Sequence, residues 1–108
     1  MEKKEKRKYA LVTGGSRGIG RAICEQLAKD LDYTLLINYN SNADAAQETL
    51  SLVEAAGGKG ELMQFDVVDA EAVKSTLEAW HATNENAVIE VVVNNAGVTK
   101  DGLFMWMT

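Results

Sequence analysis

With 108 residues, 46% of them hydrophobic and 25% charged, the chain has the size and composition of one soluble globular domain. No apolar run approaches the roughly 18 residues that a membrane-spanning helix needs, and the first residues lack the apolar segment of a secretory signal. The net charge of −5 argues against a nucleic-acid partner, and the lack of an apolar span argues against a membrane partner.

Charge is distributed unevenly along the chain. Residues 1–8 carry five basic and two acidic side chains, whereas residues 9–108 carry six basic and fourteen acidic ones. We therefore divide the chain into a solvated basic tail, residues 1–8, and an acidic body, residues 9–108. The single cysteine, Cys24, cannot form an internal disulfide, which fits a reducing, cytoplasmic location.

Short apolar runs alternate with segments of helical periodicity from Tyr9 onward. Four strands are predicted from runs too short for helices: Tyr9–Thr13, Tyr33–Tyr39, Lys59–Val67 and Ala87–Val93. Three intervening helices are predicted from the spacing of apolar residues: about Arg17–Leu31, a segment capped by Ser41 or Asn42 that ends near Ala56, and a segment capped by Asp69. A fourth helix is predicted to begin within Gly102–Thr108.

The alternation β-α-β-α-β-α-β predicts an α/β fold. It is typical of a doubly wound parallel sheet with right-handed crossovers and helices on both faces. The continuous apolar runs in the predicted strands also favour a parallel sheet, because both faces of such a sheet are buried. About four strands and three to four helices fit in the chain, and the fourth strand is expected to form an exposed edge.

The glycine-rich loop after the first strand, VTGGSRGIGRA, is typical of a phosphate-binding turn. Its spacing does not fit Gly-x-Gly-x-x-Gly, because Ile23 stands at the third glycine position. Gly15 and Gly20 have the spacing of a triphosphate-binding P-loop, but Arg21 and Ala22 replace the lysine and the magnesium-binding hydroxyl. A nucleoside triphosphate is therefore disfavoured.

The pattern that the loop does match is Thr-Gly-x-x-x-Gly-x-Gly, formed by Thr13, Gly14, Gly18 and Gly20. In this respect the chain resembles the short-chain dehydrogenase/reductase family. The glycines would let the backbone approach a pyrophosphate closely, and the helix that follows would offer free N–H groups. We therefore expect an adenine dinucleotide on this loop.

Two later motifs strengthen the resemblance, and a third feature bears on the cofactor. Asp66–Val67 follows the third strand, where the resemblance implies a contact with adenine, although Asp66 could also cap a turn. Asn94–Gly97, Asn-Asn-Ala-Gly, matches the family motif that lies beneath the cofactor. The segment Asn38–Asn42 has no carboxylate, whereas NAD-selective enzymes place one there. Together with Arg17, which could pair with a 2′-phosphate, this favours NADP(H).

The resemblance covers the chain from about Tyr9 onward and is greatest to the bacterial 3-oxoacyl-[acyl-carrier-protein] reductases. It implies a Rossmann-type fold, NADPH-dependent reduction of a 3-oxoacyl thioester in fatty-acid synthesis, a carrier-protein-linked substrate and a homo-oligomer, tetrameric in that family. Other ketone or alcohol substrates stay open. The cofactor-binding residues that we predict are Gly14, Ser16, Arg17, Gly18, Ile19, Gly20, Tyr39, Asn40, Ser41, Asp66, Val67, Asn95, Ala96 and Gly97.

The family's catalytic residues have no counterpart in this chain. The resemblance implies a Ser and a Tyr-x-x-x-Lys, in which the tyrosine is the general acid and the lysine lowers its pKa. No tyrosine here has lysine four residues later: Tyr9, Tyr33 and Tyr39 are followed at that spacing by Thr13, Ile37 and Ala43.

We therefore expect the catalytic residues beyond Thr108, and expect the chain alone to be inactive, as the cofactor-binding half of a longer reductase. A stand-alone nucleotide-binding module and a fragment that folds only with a partner are the alternatives. One histidine, His81, and one cysteine are too few for a metal cluster, so no metal is expected.

Overall fold

The computed structural model describes residues 7–15, 18–30, 33–95 and 105–107, and at residues 30 and 105–107 it describes the backbone alone. Five strands and three helices lie in these residues: β1 Arg7–Thr13, α1 Gly18–Asp30, β2 Thr34–Tyr39, α2 Ala43–Ala55, β3 Lys59–Gln64, α3 Ala70–Thr83, β4 Ala87–Asn94 and β5 Met105–Met107. The predicted alternation of strands and helices is thus confirmed through β4.

The strands form one sheet in the order β3-β2-β1-β4-β5. The four strands β1 to β4 are parallel, and β5 pairs antiparallel with Val91–Val93 of β4. From β1 the chain first moves outward through β2 to β3, and then returns to place β4 on the other side of β1. This reversal of direction beside β1 is what defines a doubly wound sheet.

Apolar side chains cover both faces of the sheet. On one face α1 and α2 pack over residues that include Val12, Leu35 and Ile37. On the other face α3 packs over residues that include Leu36 and Phe65. Consecutive residues of β2 enter opposite cores, because side chains alternate along a strand, and so both faces must be apolar.

Local signals begin two of the helices where the sequence indicates. Asn42 accepts a hydrogen bond from the Ala45 N–H at 3.0 Å, and Asp69 accepts one from the Ala72 N–H at 3.1 Å. Both are N-caps, which satisfy backbone donors that have no partner inside the helix. Of the two predicted caps for α2, the structure selects Asn42.

The structure changes several predicted boundaries. Arg7 and Lys8, assigned to the basic tail from sequence, begin β1, and β3 ends at Gln64. Glu90 forms a bulge in β4, since Tyr9 is level with Ile89 and Ala10 with Val91.

Two expectations about the end of the chain are wrong. Met105–Met107 forms a strand and not part of a fourth helix, and β4 is not an open edge over Val91–Val93. The physical reason is that the outer edge of β4 carries backbone donors and acceptors, which a short extended segment can pair. Within the described residues, no helix has the length and apolarity that crossing a membrane requires.

Candidate functional site

The candidate site lies where β1 and β4 end side by side. Thr13 and Asn94, the last residues of these strands, are level with each other in the sheet. The strand order reverses direction between β1 and β4, and in open α/β folds such a reversal is where a crevice forms at the carboxyl ends of the strands. Open α/β sheets bind their ligands in such a crevice, at the carboxyl ends of the strands.

The glycine turn brings the start of α1 close to the end of β1. Gly14 has a φ of 64°, a backbone conformation that residues other than glycine adopt only at a cost in free energy. A Cβ on Gly20 would collide with the carbonyl oxygen of Gly14 and would lie 2.7 Å from Nδ2 of Asn95. The first turn of α1 therefore touches the turn after β1 and the end of β4, which only a glycine at position 20 permits.

The amino-terminal end of α1 lies beside the residues that follow β1 and β4. Backbone N–H groups in the first turn of an α-helix have no partner within the helix, and the helix dipole favours an anion there. Gly18 and Ile19 are exposed, and Ile19 leaves 65% of its surface accessible. The first turn thus offers donors and an apolar side chain to a bound molecule.

Side chains at and just after the end of β4 contact β1 and the turn that follows it. Asn95 donates from Nδ2 to the Gly14 carbonyl at 3.1 Å. The Thr13 hydroxyl donates toward Asn94 Oδ1 at 3.1 Å and toward the Val93 carbonyl at 3.3 Å. Thr13 and the Asn94–Asn95 pair therefore join the two strand ends, and the cofactor-binding role predicted for Asn95 is accompanied by a structural one.

From β2, Asn38 reaches the turn from the other side. Its Oδ1 accepts from the Gly14 N–H at 3.0 Å, and its backbone carbonyl accepts from the Gly15 N–H at 2.9 Å. The segment Asn38–Asn42 therefore divides by role: Asn38 is buried and Asn42 caps α2, while Asn40 and Ser41 are exposed and Tyr39 is half-buried.

The exposed part of that segment lies beside the end of β3. Gln64 donates from Nε2 to the Asn40 carbonyl at 2.7 Å, which holds the two strand ends together. Tyr39, Asn40 and Ser41 are thus available at the carboxyl edge, as a site for the adenosine end of a dinucleotide requires. The first carboxylate after them, Asp44, lies exposed in the first turn of α2.

After β3, Asp66 and Val67 form a turn at the same edge. Asp66 accepts from the Val68 N–H at 3.1 Å through Oδ1, which is the turn-capping role left open from sequence. Val67 is half-buried against the core beneath α3, whereas Val68 is 85% exposed. Four of the predicted site residues, Ser16, Arg17, Ala96 and Gly97, lie outside the described residues.

Arg21 has a role that sequence reasoning missed. Its guanidinium donates to the Thr49 hydroxyl and the Ala45 carbonyl, both at 2.9 Å, and lies 3.3 Å from Glu48. These contacts join α1 to α2. The residue at the lysine position of a P-loop is therefore directed at the neighbouring helix, which agrees with the disfavoured triphosphate interpretation. The sequence signal for this contact is a polar residue, Thr49, among the apolar residues on the buried face of α2. That signal can be recognised only once the structure is known.

Cys24 packs beneath the glycine turn, where a Cβ on Gly15 would lie 3.2 Å from its Sγ. Burial, with a smaller contribution from Glu25, raises the pKa of the Cys24 thiol to about 12, so Cys24 is an uncharged packing residue. His81 is exposed in the last turn of α3. Among the described residues, no three His, Cys, Asp or Glu side chains gather into a group that could hold a metal ion.

Comparison with known proteins gives a consistent set of relatives. The family model described as short chain dehydrogenase matches residues 8–108. A 3-oxoacyl-[acyl-carrier-protein] reductase FabG of Staphylococcus aureus is 39% identical over 100 residues, which is 93% of this chain and 39% of that protein. An uncharacterized oxidoreductase YgfF of Escherichia coli is 45% identical over 89 residues, 82% of this chain and 35% of that protein.

Solved structures agree with these relatives. A metagenomic short-chain oxidoreductase crystallised in complex with NADP matches with a TM-score of 0.73 and 31% identity, covering 84% of this chain and 39% of that one. The chain thus spans well under half the length of the proteins it matches.

Proposed function

The chain belongs to the short-chain dehydrogenase family, and from this membership we propose that it supplies the dinucleotide-binding half of an NADPH-dependent reductase. The observation that carries the proposal is the contact between Gly20 and Gly14. It brings the amino-terminal end of α1 against the residues that follow β1 and β4. A pyrophosphate on that helix end would be held by backbone N–H groups and by the helix dipole.

The proposed cofactor is NADP(H) and not NAD(H). The residues at the carboxyl end of β2 that remain available, Tyr39, Asn40 and Ser41, include no carboxylate to bind a ribose 2′-hydroxyl or repel a 2′-phosphate. The NADP complex of a structural neighbour supports the same choice. We propose that Arg17 pairs with the 2′-phosphate, and that Asp66 and Val67 border the adenine.

When bound, NADPH supplies the hydride that reduces a carbonyl carbon. This chain's own residues would bind and orient the cofactor: Gly14 and Gly20 allow the close turn that places the start of α1, and Gly18 and Ile19 present the first turn of that helix. Asn95, Ala96 and Gly97 would border it from β4. We propose that the proton donor and its lysine lie beyond Thr108, so that the 108 residues alone bind without catalysing.

For the substrate we propose a 3-oxoacyl group carried by acyl carrier protein, reduced in the cytoplasm by a homo-oligomer, as in the reductases that the chain resembles. The similarity to a 3-oxoacyl-[acyl-carrier-protein] reductase over 93% of the chain supports this assignment. Light scattering on the protein made from the complete coding sequence would measure the oligomeric state, for which a tetramer is expected.

The binding proposal is tested by calorimetric titration of the chain with NADPH and with NADH. We expect NADPH to bind at least tenfold more tightly, and absence of binding by either dinucleotide would contradict the proposal. Activity is tested separately, with the protein made from the complete coding sequence, by following NADPH consumption with an acetoacetyl thioester. Dinucleotide binding without turnover in that longer protein would favour the stand-alone binding module.

A further inference from the structure

We propose that Asn38 is a positioning residue that fixes the glycine turn against the end of β3, so that the pyrophosphate and adenosine parts of one dinucleotide are bound at a set separation. The inference rests on the proposed function, because it assigns a role within the same site. Asn38 is absent from the residues expected to touch the cofactor, and it acts through the backbone around it.

The Asn38 amide makes contacts on both of its ends. It is 1% exposed. Its Oδ1 accepts from the Gly14 N–H at 3.0 Å, while its Nδ2 donates to the carbonyls of Phe65 at 3.0 Å and Met63 at 3.2 Å. A single buried side chain therefore joins the turn after β1 to the end of β3, across the end of its own strand.

Only an amide satisfies this environment. The contact with Gly14 requires an acceptor, and the contacts with Met63 and Phe65 require donors. Aspartate would place negative oxygen against two carbonyl oxygens, and leucine would remove all three hydrogen bonds. Buried polar groups that lose their partners are costly, so the loop and the strand end would be expected to shift.

Asn38 also decides which N–H groups can bind phosphate. The N–H groups of Gly14 and Gly15 are both engaged by Asn38, through its side chain and its backbone carbonyl. The donors for the pyrophosphate must therefore come from later residues of the loop and the first turn of α1. Gly14 would shape the site without donating to the ligand.

The test compares Asn38→Leu with Leu36→Ala, a substitution in the same strand. Leu36 is fully buried on the face beneath α3 and is apolar, so its truncation destabilises the strand without removing the contacts to Gly14, Met63 or Phe65. Dissociation constants for NADPH and NADH are measured by calorimetry, and stability is measured by urea unfolding.

We expect Asn38→Leu to raise both dissociation constants at least tenfold and to leave their ratio within a factor of two, because the pyrophosphate is common to both cofactors. Leu36→Ala should change each constant less than threefold at an equal or larger loss of stability. If both variants lose affinity for the two cofactors to the same extent, Asn38 contributes only to stability, and the inference is overturned.

A measurement on the unaltered protein covers the case in which Asn38→Leu does not fold. By NMR, the Gly14 and Gly15 amides should be protected from hydrogen exchange before any nucleotide is added. Exchange of either amide at the rate of a free peptide would overturn the inference. Failure of the unaltered protein to bind either dinucleotide would instead contradict the proposed function, with the protection of Gly14 and Gly15 still reporting on Asn38.

Discussion

At the scale of single residues, three asparagines in one pentapeptide have different roles. Asn38 is buried and pairs with the turn after β1, Asn40 is exposed at the carboxyl edge, and Asn42 caps α2. Their chemistry is identical, so position alone decides the role. Strand alternation and the start of α2 leave Tyr39, Asn40 and Ser41 as the residues of this segment that can meet a ligand.

Tyr39 tests the proposed cofactor preference. We expect Tyr39→Asp to shift the ratio of NADPH to NADH affinity at least tenfold toward NADH, because a carboxylate repels the 2′-phosphate and accepts from a 2′-hydroxyl. The matched control is Tyr39→Asn, which has nearly the same size as aspartate and no charge. Calorimetric titrations of both variants check this, and an unchanged ratio in Tyr39→Asp would move the 2′-phosphate away from β2.

The buried thiol of Cys24 makes stability depend on alkaline pH. Its pKa is raised from 9.0 to about 12 by burial, so the unfolded chain loses the thiol proton more readily than the folded one. The contribution is complete below pH 9 and is lost as pH rises toward 12, at about 1.4 kcal/mol per pH unit.

Between pH 8 and 10 we therefore expect the free energy of unfolding to fall by about 1.4 kcal/mol more than in Cys24→Ala. Urea unfolding at both pH values measures the difference. Tyr9, whose pKa burial also raises, is present in both proteins and cancels in the comparison. Parallel pH dependence in the two proteins would show that the thiol is not held in an apolar environment.

At the scale of elements, the position of α1 determines the candidate site. Its first turn meets Gly14 and Asn95, and Arg21 ties it to α2 through Thr49 and Ala45. A Cβ at Gly15 would lie 3.0 Å from Cγ2 of Ile37, so the turn itself also packs against β2. The position of the helix end is thus set by the glycines of the turn on one side and by the Arg21 side chain on the other.

Two glycines at the start of α1 are expected to differ in their tolerance of a methyl group. Gly20→Ala should lower the free energy of unfolding by about 2 kcal/mol or more, because the Cβ meets backbone atoms of Gly14 that cannot move aside. Gly18→Ala should cost about 1 kcal/mol, since its φ is 64° but, among the described residues, no atom outside its chain neighbours and its own helix backbone lies within 4 Å of the added Cβ. Urea unfolding of both variants gives the order, and a larger loss in Gly18→Ala would contradict the packing described.

At the scale of the whole molecule, the sheet order gathers segments that are far apart in the chain. Residues 14–15, 38–41, 66–67 and 94–95 all follow or lie at the carboxyl ends of parallel strands, and the first turn of α1 begins at the same edge. A ligand that bridges them would link the four parallel strands of the sheet. Binding should consequently stabilise the fold as a unit.

We expect NADPH at 100 times its dissociation constant to raise the free energy of unfolding by about 2.7 kcal/mol. Thermal or urea unfolding with and without NADPH measures this. Gly20→Ala, in which the helix end is displaced, is the control and should show less than half of the increase. Full stabilisation of that variant would mean that the dinucleotide binds away from α1.

A feature could be predicted from sequence when the interactions that form it join residues close together in the chain. The order of strands and helices, the caps at Asn42 and Asp69, and the glycine turn depend on neighbouring residues, and all appear in the structure. Apolar periodicity reports these features because it is a property of a few consecutive residues.

Only the tertiary structure decided the partner of Arg21, the burial of Asn38, the bulge at Glu90 and the antiparallel pairing of Met105–Met107. Each of these depends on which backbone or side-chain group, distant in the sequence, lies beside the residue in the fold. Sequence by itself fixes the periodicity and the local turns of a segment, whereas strand register and helix position are set by packing the whole sheet, where distant groups compete for the same hydrogen bonds.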